Sequence, residues 1–288
     1  MRQLSRGDLS INYRCAGEGR DVVLIHGLAA NHAFWHFSVL LPLAEHYRLT
    51  VYDLRGHGRS SMPPSGYTTA DMAGDLHLLL DHLQIQKADL VGHSFGGVVA
   101  LHYATMHPDR VRSLTVADSR IRALQPVNHP RDWQNRERAM KRLAELGLFV
   151  PDNEPDVGLW LLEQVARPEM QKVRDQLKGN PILFPFGARN GGSKSAERWL
   201  ELLDTTTARK DFRDEAGLTV EKIVRIGQPI LALYGDASPT LPSGQGLKEK
   251  LKSCTMEVVP NAGHFFMLTK PKLFVDIVGR FLNEQKEA

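Results

Sequence analysis

Short segments that are apolar throughout alternate with amphipathic segments along the first 120 residues of the chain. A short, wholly apolar segment predicts a strand buried on both faces, as in a parallel sheet covered by helices. The segments between them carry apolar residues at helical spacing, so the pattern predicts alternating strands and helices. Strands are predicted at 9–14, 22–25, 49–52, 88–91 and 114–117, and helices at 33–43, 70–83 and 97–106.

The pattern changes after about residue 119 and returns to strands only near residue 229. The part between them is amphipathic at helical spacing, and two strands and a closing helix follow it. We therefore expect an α/β core of residues 1–119 and 216–288, interrupted by a helical block of residues 120–215. In this second half the pattern predicts helices at 131–147, 157–178, 193–208 and 271–284, and strands at 229–234 and 256–259.

Composition restricts the classes of function. The chain has 288 residues, of which 42% are hydrophobic and 24% charged, enough apolar material for a large core. The net charge of +3 and the absence of a polybasic cluster argue against nucleic-acid binding. Cys15 and Cys254 lack metal-ligand spacing, and no apolar run suggests a signal peptide or a membrane span. We expect a cytoplasmic chain with no metal, cofactor or membrane partner.

The sequence Gly-His-Ser-Phe-Gly at residues 92–96 lies between a predicted strand and a predicted helix. A Gly-x-Ser-x-Gly in this context is typical of a nucleophile elbow, in which a strained turn exposes the serine hydroxyl. Ser94 is therefore the candidate nucleophile. A serine needs a base to take its proton, usually a histidine oriented by a carboxylate.

His264 is the candidate base, because it follows the last predicted strand and sites form at the carboxyl ends of strands in such sheets. The oxyanion formed on attack needs two backbone N–H donors. We expect these from Phe95, directly after the nucleophile, and from Leu28, in the loop after the strand at 22–25.

These motifs together resemble the α/β-hydrolase superfamily over residues 1–119 and 216–288. The resemblance implies a mostly parallel central sheet flanked by helices, with residues 120–215 as an inserted cap over the pocket. The segments that carry it are His26-Gly27, the loop Asp-Leu-Arg-Gly-His-Gly-Arg-Ser at 53–60, the elbow at 92–97 and Gly263-His264.

The acid departs from the pattern of many relatives, which carry Gly-x-x-Asp after the next-to-last strand. Counted from Gly235, that position holds Ser238. Two alternatives remain. Asp118 follows the strand next to the elbow strand, as in certain lipases and thioesterases that the chain resembles, and is favoured. Asp236 is the second candidate.

The substrate pocket is less clearly marked. We expect His26, Trp35, Phe184, Phe186 and Phe265 to line it, although the apolar run containing Phe184 and Phe186 could equally form the core of the cap.

The resulting hypothesis is a cofactor-independent serine hydrolase that cleaves a carboxylic ester or thioester through an acyl-serine. The resemblance also allows a lactonase, a C–C bond hydrolase, or a perhydrolase or acyltransferase on the same triad. A small-molecule receptor of the same fold is the alternative outside enzymes, and a degenerate scaffold is a third reading. The oligomeric state does not follow from the sequence.

Overall fold

In this computed structural model, which describes residues 2–35, 38–129, 133, 136–176, 186 and 192–285, eight strands form one sheet. The strands are β1 (Arg2–Arg6), β2 (Leu9–Ala16), β3 (Asp21–Ile25), β4 (Arg48–Tyr52), β5 (Ala88–His93), β6 (Val111–Ala117), β7 (Ile230–Gly235) and β8 (Cys254–Val259). Their order across the sheet is β1-β2-β4-β3-β5-β6-β7-β8. β2 runs opposite to the other seven strands, and β3 to β8 are mutually parallel, so the carboxyl ends of β3 to β8 meet at one edge. This confirms the mostly parallel sheet predicted from the apolar pattern.

Helices connect the strands, and within the described residues none has the length and apolar character needed to cross a bilayer. Short 3₁₀ turns lie at His32–Trp35, Pro108–Arg110 and Pro168–Met170. The α-helices are α1 (Leu40–Ala44), α2 (Thr69–His82), α3 (Phe95–Met106), α4 (Arg136–Glu145), α5 (Val157–Ala166), α6 (Gln171–Gln176), α7 (Gly192–Thr205), α8 (Ala208–Asp211), α9 (Val220–Ile223), α10 (Leu241–Lys250), α11 (Phe266–Thr269) and α12 (Pro271–Glu284).

Both faces of the sheet are covered by apolar side chains, as the continuous apolar strands predict. On β3, Val23 and Ile25 point into a cluster shared with α2 and α3. Their neighbours Val22 and Leu24 point into a second cluster with α1 and α12. The alternation along one strand therefore places the sheet between two layers of helices.

Several elements differ from the sequence prediction. The helix predicted at 33–43 is a 3₁₀ turn, His32–Trp35, followed by the short helix α1. The helix predicted at 157–178 divides into α5 and α6 at Pro168, which lacks the backbone N–H needed to continue a helix. β1 and α10 have no apolar signature: β1 is mostly exposed, and α10 contains a proline and two glycines. They form because the rest of the structure pairs with them and packs against them.

The helices between β6 and β7 are tied to the loop after β4. The Arg198 guanidinium donates to the Ser60 carbonyl oxygen at 2.7 Å. The Thr207 backbone N–H donates to the Pro64 carbonyl oxygen at 3.0 Å. These bonds hold α7 and α8 beside the strands that carry the candidate site.

Candidate active site

Ser94 lies on the sharp turn between β5 and α3. Its backbone has φ of 55° and ψ of −124°, a region that L-residues adopt only under constraint. The Ser94 N–H donates to the Ala117 carbonyl oxygen at 2.9 Å, which anchors the turn to β6. Gly96 lets the turn approach β3, because a Cβ there would lie 2.3 Å from the Ile25 carbonyl oxygen. The turn leaves the half-buried Ser94 in the lining of a cavity.

His264 lies in the loop between β8 and α11, with its imidazole beside Ser94. Its Nε2 is 3.1 Å from Ser94 Oγ, and its Nδ1 is 2.8 Å from Asp118 Oδ1. A carboxylate can only accept, so Nδ1 carries the proton and Nε2 is free to accept the serine proton. The structure brings these three side chains together in a hydrogen-bonded chain.

Asp118 follows β6, has φ of 50° and is completely buried. Its second oxygen, Oδ2, accepts from the Gly235 backbone N–H at 2.9 Å. Burial acts to raise the pKa of Asp118. Hydrogen bonding and charge attraction from His264, with further bonds from Gly235 and Ser238, outweigh burial and lower that pKa below its usual range. The carboxyl group is therefore held as an anion beside the imidazole.

Asp236, the alternative acid, faces the backbone of the loop that precedes His264. It accepts from the backbone N–H groups of Asn261 at 2.8 Å and Ala262 at 2.9 Å. Those two bonds, led by the one from Ala262, lower the pKa of Asp236. Asp118, not Asp236, bonds His264, so the geometry favours Asp118 as the acid.

His93 contacts His264 through its ring and through a hydrogen bond to the backbone. Its ring lies 4.8 Å from the His264 ring, centroid to centroid, and its Nε2–H donates to the His264 carbonyl oxygen at 3.0 Å. Complete burial lowers the pKa of His93 to about 3, so the ring is neutral near pH 7.

Leu28 and Phe95, the two residues expected to donate to the oxyanion, line the same cavity as Ser94. Phe95 is the first residue of α3, and Leu28 follows Gly27 in the loop after β3. Gly27 packs so closely on the elbow that a Cβ there would lie 2.9 Å from Ser94 Cβ. Within the described residues, neither N–H has a hydrogen-bond acceptor in the protein, so both are available to a ligand.

Ser94 and His264 line a cavity of about 1120 Å³. Its lining is mainly apolar and includes residues of α4 and α5, which lie between β6 and β7 in the chain. Its charged lining residues balance in sign: Arg120, Arg122, Arg138 and Arg142 against Asp156, Asp214, Glu215 and Asp236. The cavity therefore favours a sizeable ligand with a large apolar part.

The five predicted pocket residues are divided by the structure. Phe186 and Phe265 line the cavity, and Phe184 lies outside the described residues.

The assignment of His26 and Trp35 to the pocket is wrong. Burial lowers the pKa of His26 to about 4, and its ring bonds backbone: Nδ1–H donates to the Gly27 oxygen and Nε2 accepts from the Leu54 N–H. Trp35 is fully buried and packs on Phe34 and on Phe274 of α12. Both residues support the loop after β3 from inside the protein.

Two polar residues of the site were not identified from the sequence. Ser238 Oγ and Thr240 Oγ1 both donate to Asp118 Oδ1, the latter at 2.7 Å. The signal was the serine at the position where many relatives carry an acid, but only the structure shows its partner. Within the described part of the chain, no three His, Cys, Asp or Glu side chains are arranged to hold a metal ion.

Known proteins share this architecture. The profile of the alpha/beta hydrolase fold matches residues 22–271. Pimeloyl-[acyl-carrier protein] methyl ester esterase of Aeromonas salmonicida is 30% identical over 285 residues, covering 95% of this chain and 100% of that protein. 3-Oxoadipate enol-lactonase 2 of Acinetobacter baylyi is 26% identical over 275 residues, covering 94% of this chain and 92% of that protein.

Among solved structures, the enol-lactonase from Burkholderia xenovorans LB400 superimposes with a TM-score of 0.69 at 20% identity. That alignment covers 98% of this chain and 100% of the enol-lactonase, and it shows the common fold. The predicted fold class is confirmed. Because the profile covers most of the sequence and the Aeromonas esterase aligns along its whole length, this chain belongs to the α/β-hydrolase fold family.

Proposed function

We propose that this protein hydrolyses a carboxylic ester or thioester through an acyl-enzyme on Ser94. The observation that carries the proposal is the hydrogen-bonded chain from Ser94 through His264 to Asp118, at 3.1 Å and 2.8 Å. A serine, a histidine and a buried carboxylate in this order form the arrangement that activates a serine hydroxyl.

The first step forms the acyl-enzyme. As Ser94 Oγ attacks the carbonyl carbon, its proton passes to His264 Nε2. The imidazole becomes positively charged, and the anionic Asp118 beside Nδ1 stabilises that charge. The protonated Nε2 then gives its proton to the departing alcohol or thiol.

The tetrahedral intermediate carries a negative oxygen. The backbone N–H groups of Leu28 and Phe95 are the proposed donors to it, supported by their positions beside the serine and by their freedom from other acceptors within the described residues. Each such donor is worth about 3–4 kcal/mol of transition-state stabilisation.

The second step repeats the first with water in place of the serine. His264 Nε2 accepts a proton from water, which attacks the acyl carbonyl and releases the carboxylic acid and free Ser94. No step needs a group beyond the triad, the two N–H donors and water.

The substrate class is a small molecule with a sizeable apolar part. The volume and mainly apolar lining of the cavity support an acyl chain or ring of several carbons. Relatives are named as a methyl ester esterase and an enol-lactonase, which supports an ester bond, linear or cyclic, as the bond cleaved.

Residues 120–215 are proposed to form a cap over this pocket. The support is that residues of α4 and α5 line the same cavity as Ser94 and His264. A cap of this kind excludes water and restricts which substrates reach Ser94.

The test is turnover of p-nitrophenyl esters and acyl-thioesters of increasing chain length by wild type and Ser94→Ala. We expect wild-type turnover and a loss of at least about 10³-fold in kcat for Ser94→Ala. Ser253→Ala is the control and should keep the wild-type rate, because Ser253 is not among the described residues that line the cavity.

A fluorophosphonate probe separates an enzyme from a receptor. Labelling of Ser94 together with turnover supports the proposal, whereas labelling without turnover of any ester or thioester would favour a small-molecule receptor. Absence of both would favour a scaffold.

A further inference from the structure

Two hydroxyl groups bond the carboxylate oxygen that holds His264. Asp118 Oδ1 accepts from Ser238 Oγ, from Thr240 Oγ1 at 2.7 Å and from His264 Nδ1 at 2.8 Å. The two hydroxyl oxygens lie 3.1 Å apart, because both side chains donate to the same carboxylate oxygen. We call Ser238 and Thr240 the hydroxyl clamp.

Ser238 Oγ also accepts the Thr240 backbone N–H at 3.3 Å, a local bond, but local structure does not explain the Thr240 side chain. Thr240 directly precedes α10, where a threonine side chain usually caps the helix by accepting a backbone N–H. Here it forms no cap bond, and its hydroxyl points to Asp118 instead. A side chain that gives up a favourable local bond for a bond to the acid indicates a role at the acid.

The clamp also compensates for the burial of Asp118. The carboxylate is completely buried, and an anion there is tolerated only when its oxygens are hydrogen-bonded. The Gly235 backbone N–H donates to Oδ2, while the clamp hydroxyls and His264 Nδ1 donate to Oδ1. Without the clamp, His264 would be the remaining donor to Oδ1, and the carboxylate could rotate away from the imidazole.

We propose that Ser238 and Thr240 are positioning residues, which hold the Asp118 carboxylate in the rotamer that orients His264. This inference rests on the proposed function, because it assigns the support of the same triad. It further implies that the side chain at position 238 faces His264 closely enough to carry the acid itself, since both bond one oxygen of Asp118.

Removing either hydroxyl tests the clamp. Ser238→Ala and Thr240→Val should each lower kcat about tenfold, the value of one hydrogen bond to a charged group, with KM changed less than about threefold. Thr240→Ser keeps the hydroxyl and should recover most of the rate lost in Thr240→Val. If KM rises and kcat does not fall, the hydroxyls contact substrate instead and the proposal is wrong.

Thr115→Val is the matched control. Thr115 lies on β6, the strand that leads to Asp118, and its buried hydroxyl has no hydrogen-bond partner among the described residues. The same chemical change there should leave kcat within about twofold of wild type. If kcat falls equally in this variant and in Thr240→Val, the effect comes from packing, and the proposed role of the clamp is wrong.

Moving the acid provides a gain of activity that misfolding cannot imitate. Ser238 borders the cavity, so an aspartate there has space. Asp118→Asn/Ser238→Asp should be at least about tenfold more active than Asp118→Asn alone. No recovery in protein whose circular dichroism matches wild type would show that position 238 cannot reach His264. Full turnover by Ser94→Ala would contradict the proposed function. Full turnover by the clamp variants, with none by Ser94→Ala, would contradict only the positioning role of the clamp.

Discussion

At the scale of residues, two members of the proposed triad have backbone conformations that L-residues rarely adopt. Ser94 has φ of 55° and Asp118 has φ of 50°, and each directly follows a central strand. The parallel ladder holds them there, because the Ser94 N–H donates to Ala117 O and the Asp118 N–H to Leu233 O, both at 2.9 Å. The sheet therefore maintains the strain that presents both side chains to His264.

The assignment of the acid predicts different effects for the two aspartates. Asp118→Asn should lower kcat/KM by about 10³–10⁴-fold, because the amide no longer stabilises the imidazolium or fixes its tautomer. Asp236→Asn should reduce it far less, since that side chain bonds the Asn261 and Ala262 backbone. Steady-state kinetics on one ester at pH 7 checks both, and near-normal turnover in Asp118→Asn would reverse the assignment.

Ser94 and His264 could be predicted because each lies next to an identifiable strand and motif. The sequence favoured Asp118 over Asp236 only through a resemblance and left both open, because the choice depends on where each side chain points once β6 and β7 pair. His26 and Trp35 were misassigned for a similar reason. Both lie in or just after the loop that follows β3, near the site in sequence, but their side chains are directed into the core.

At the scale of elements, one buried ion-pair cluster joins the segment after β6 to α5. Asp156 accepts the Leu159 N–H at 3.2 Å at the start of α5. Its carboxylate also pairs with Arg120 at 2.7 Å and with Arg122. Removing one member of a buried ion pair leaves the other charges without compensation.

Asp156→Asn should therefore destabilise the protein. The amide oxygen can still cap α5, but Arg120 and Arg122 lose their counter-charge, at a cost of about 3 kcal/mol in the free energy of unfolding. Urea denaturation measures the change. Asp152→Asn, an exposed residue of the preceding turn, is the control and should change the value by less than about 0.5 kcal/mol. An equal change in the free energy of unfolding in the two variants would contradict a stabilising role for the ion-pair cluster.

The sequence predicted the central strands well because their apolar runs are set by burial on both faces. The helices between β6 and β7 were harder, because their boundaries depend on local features such as Pro168. α10 was missed because its glycines and proline disfavour a helix in isolation, and packing against β7 and β8 supplies its stability.

At the scale of the whole molecule, buried neutral histidines link stability to pH. Burial lowers the pKa of His26 to about 4 and those of His57 and His93 to about 3. In the unfolded chain these groups have pKa values near 6.5, so as pH falls below 6.5 the unfolded state takes up protons that the folded state does not. Stability from these histidines is complete above pH 6.5 and decreases towards acid.

We expect the Tm to fall steadily from pH 7 to pH 5 in scanning calorimetry. Each buried histidine contributes a slope of up to about 1.4 kcal/mol per pH unit in the free energy of unfolding. His57→Phe removes one titrating group and should make the dependence shallower, whatever its effect on the Tm at pH 7. A Tm that is constant or rises towards pH 5 would contradict this account.

The proposed reaction depends most directly on a covalent intermediate at Ser94. Rapid-quench mass spectrometry of the wild-type enzyme with p-nitrophenyl butyrate, followed by peptide mapping, would detect it. We predict a single butyryl group on the peptide that contains Ser94, accumulating before steady state and absent from Ser94→Ala. Turnover of the ester with the acyl group on another residue, or undiminished in Ser94→Ala, would contradict the account.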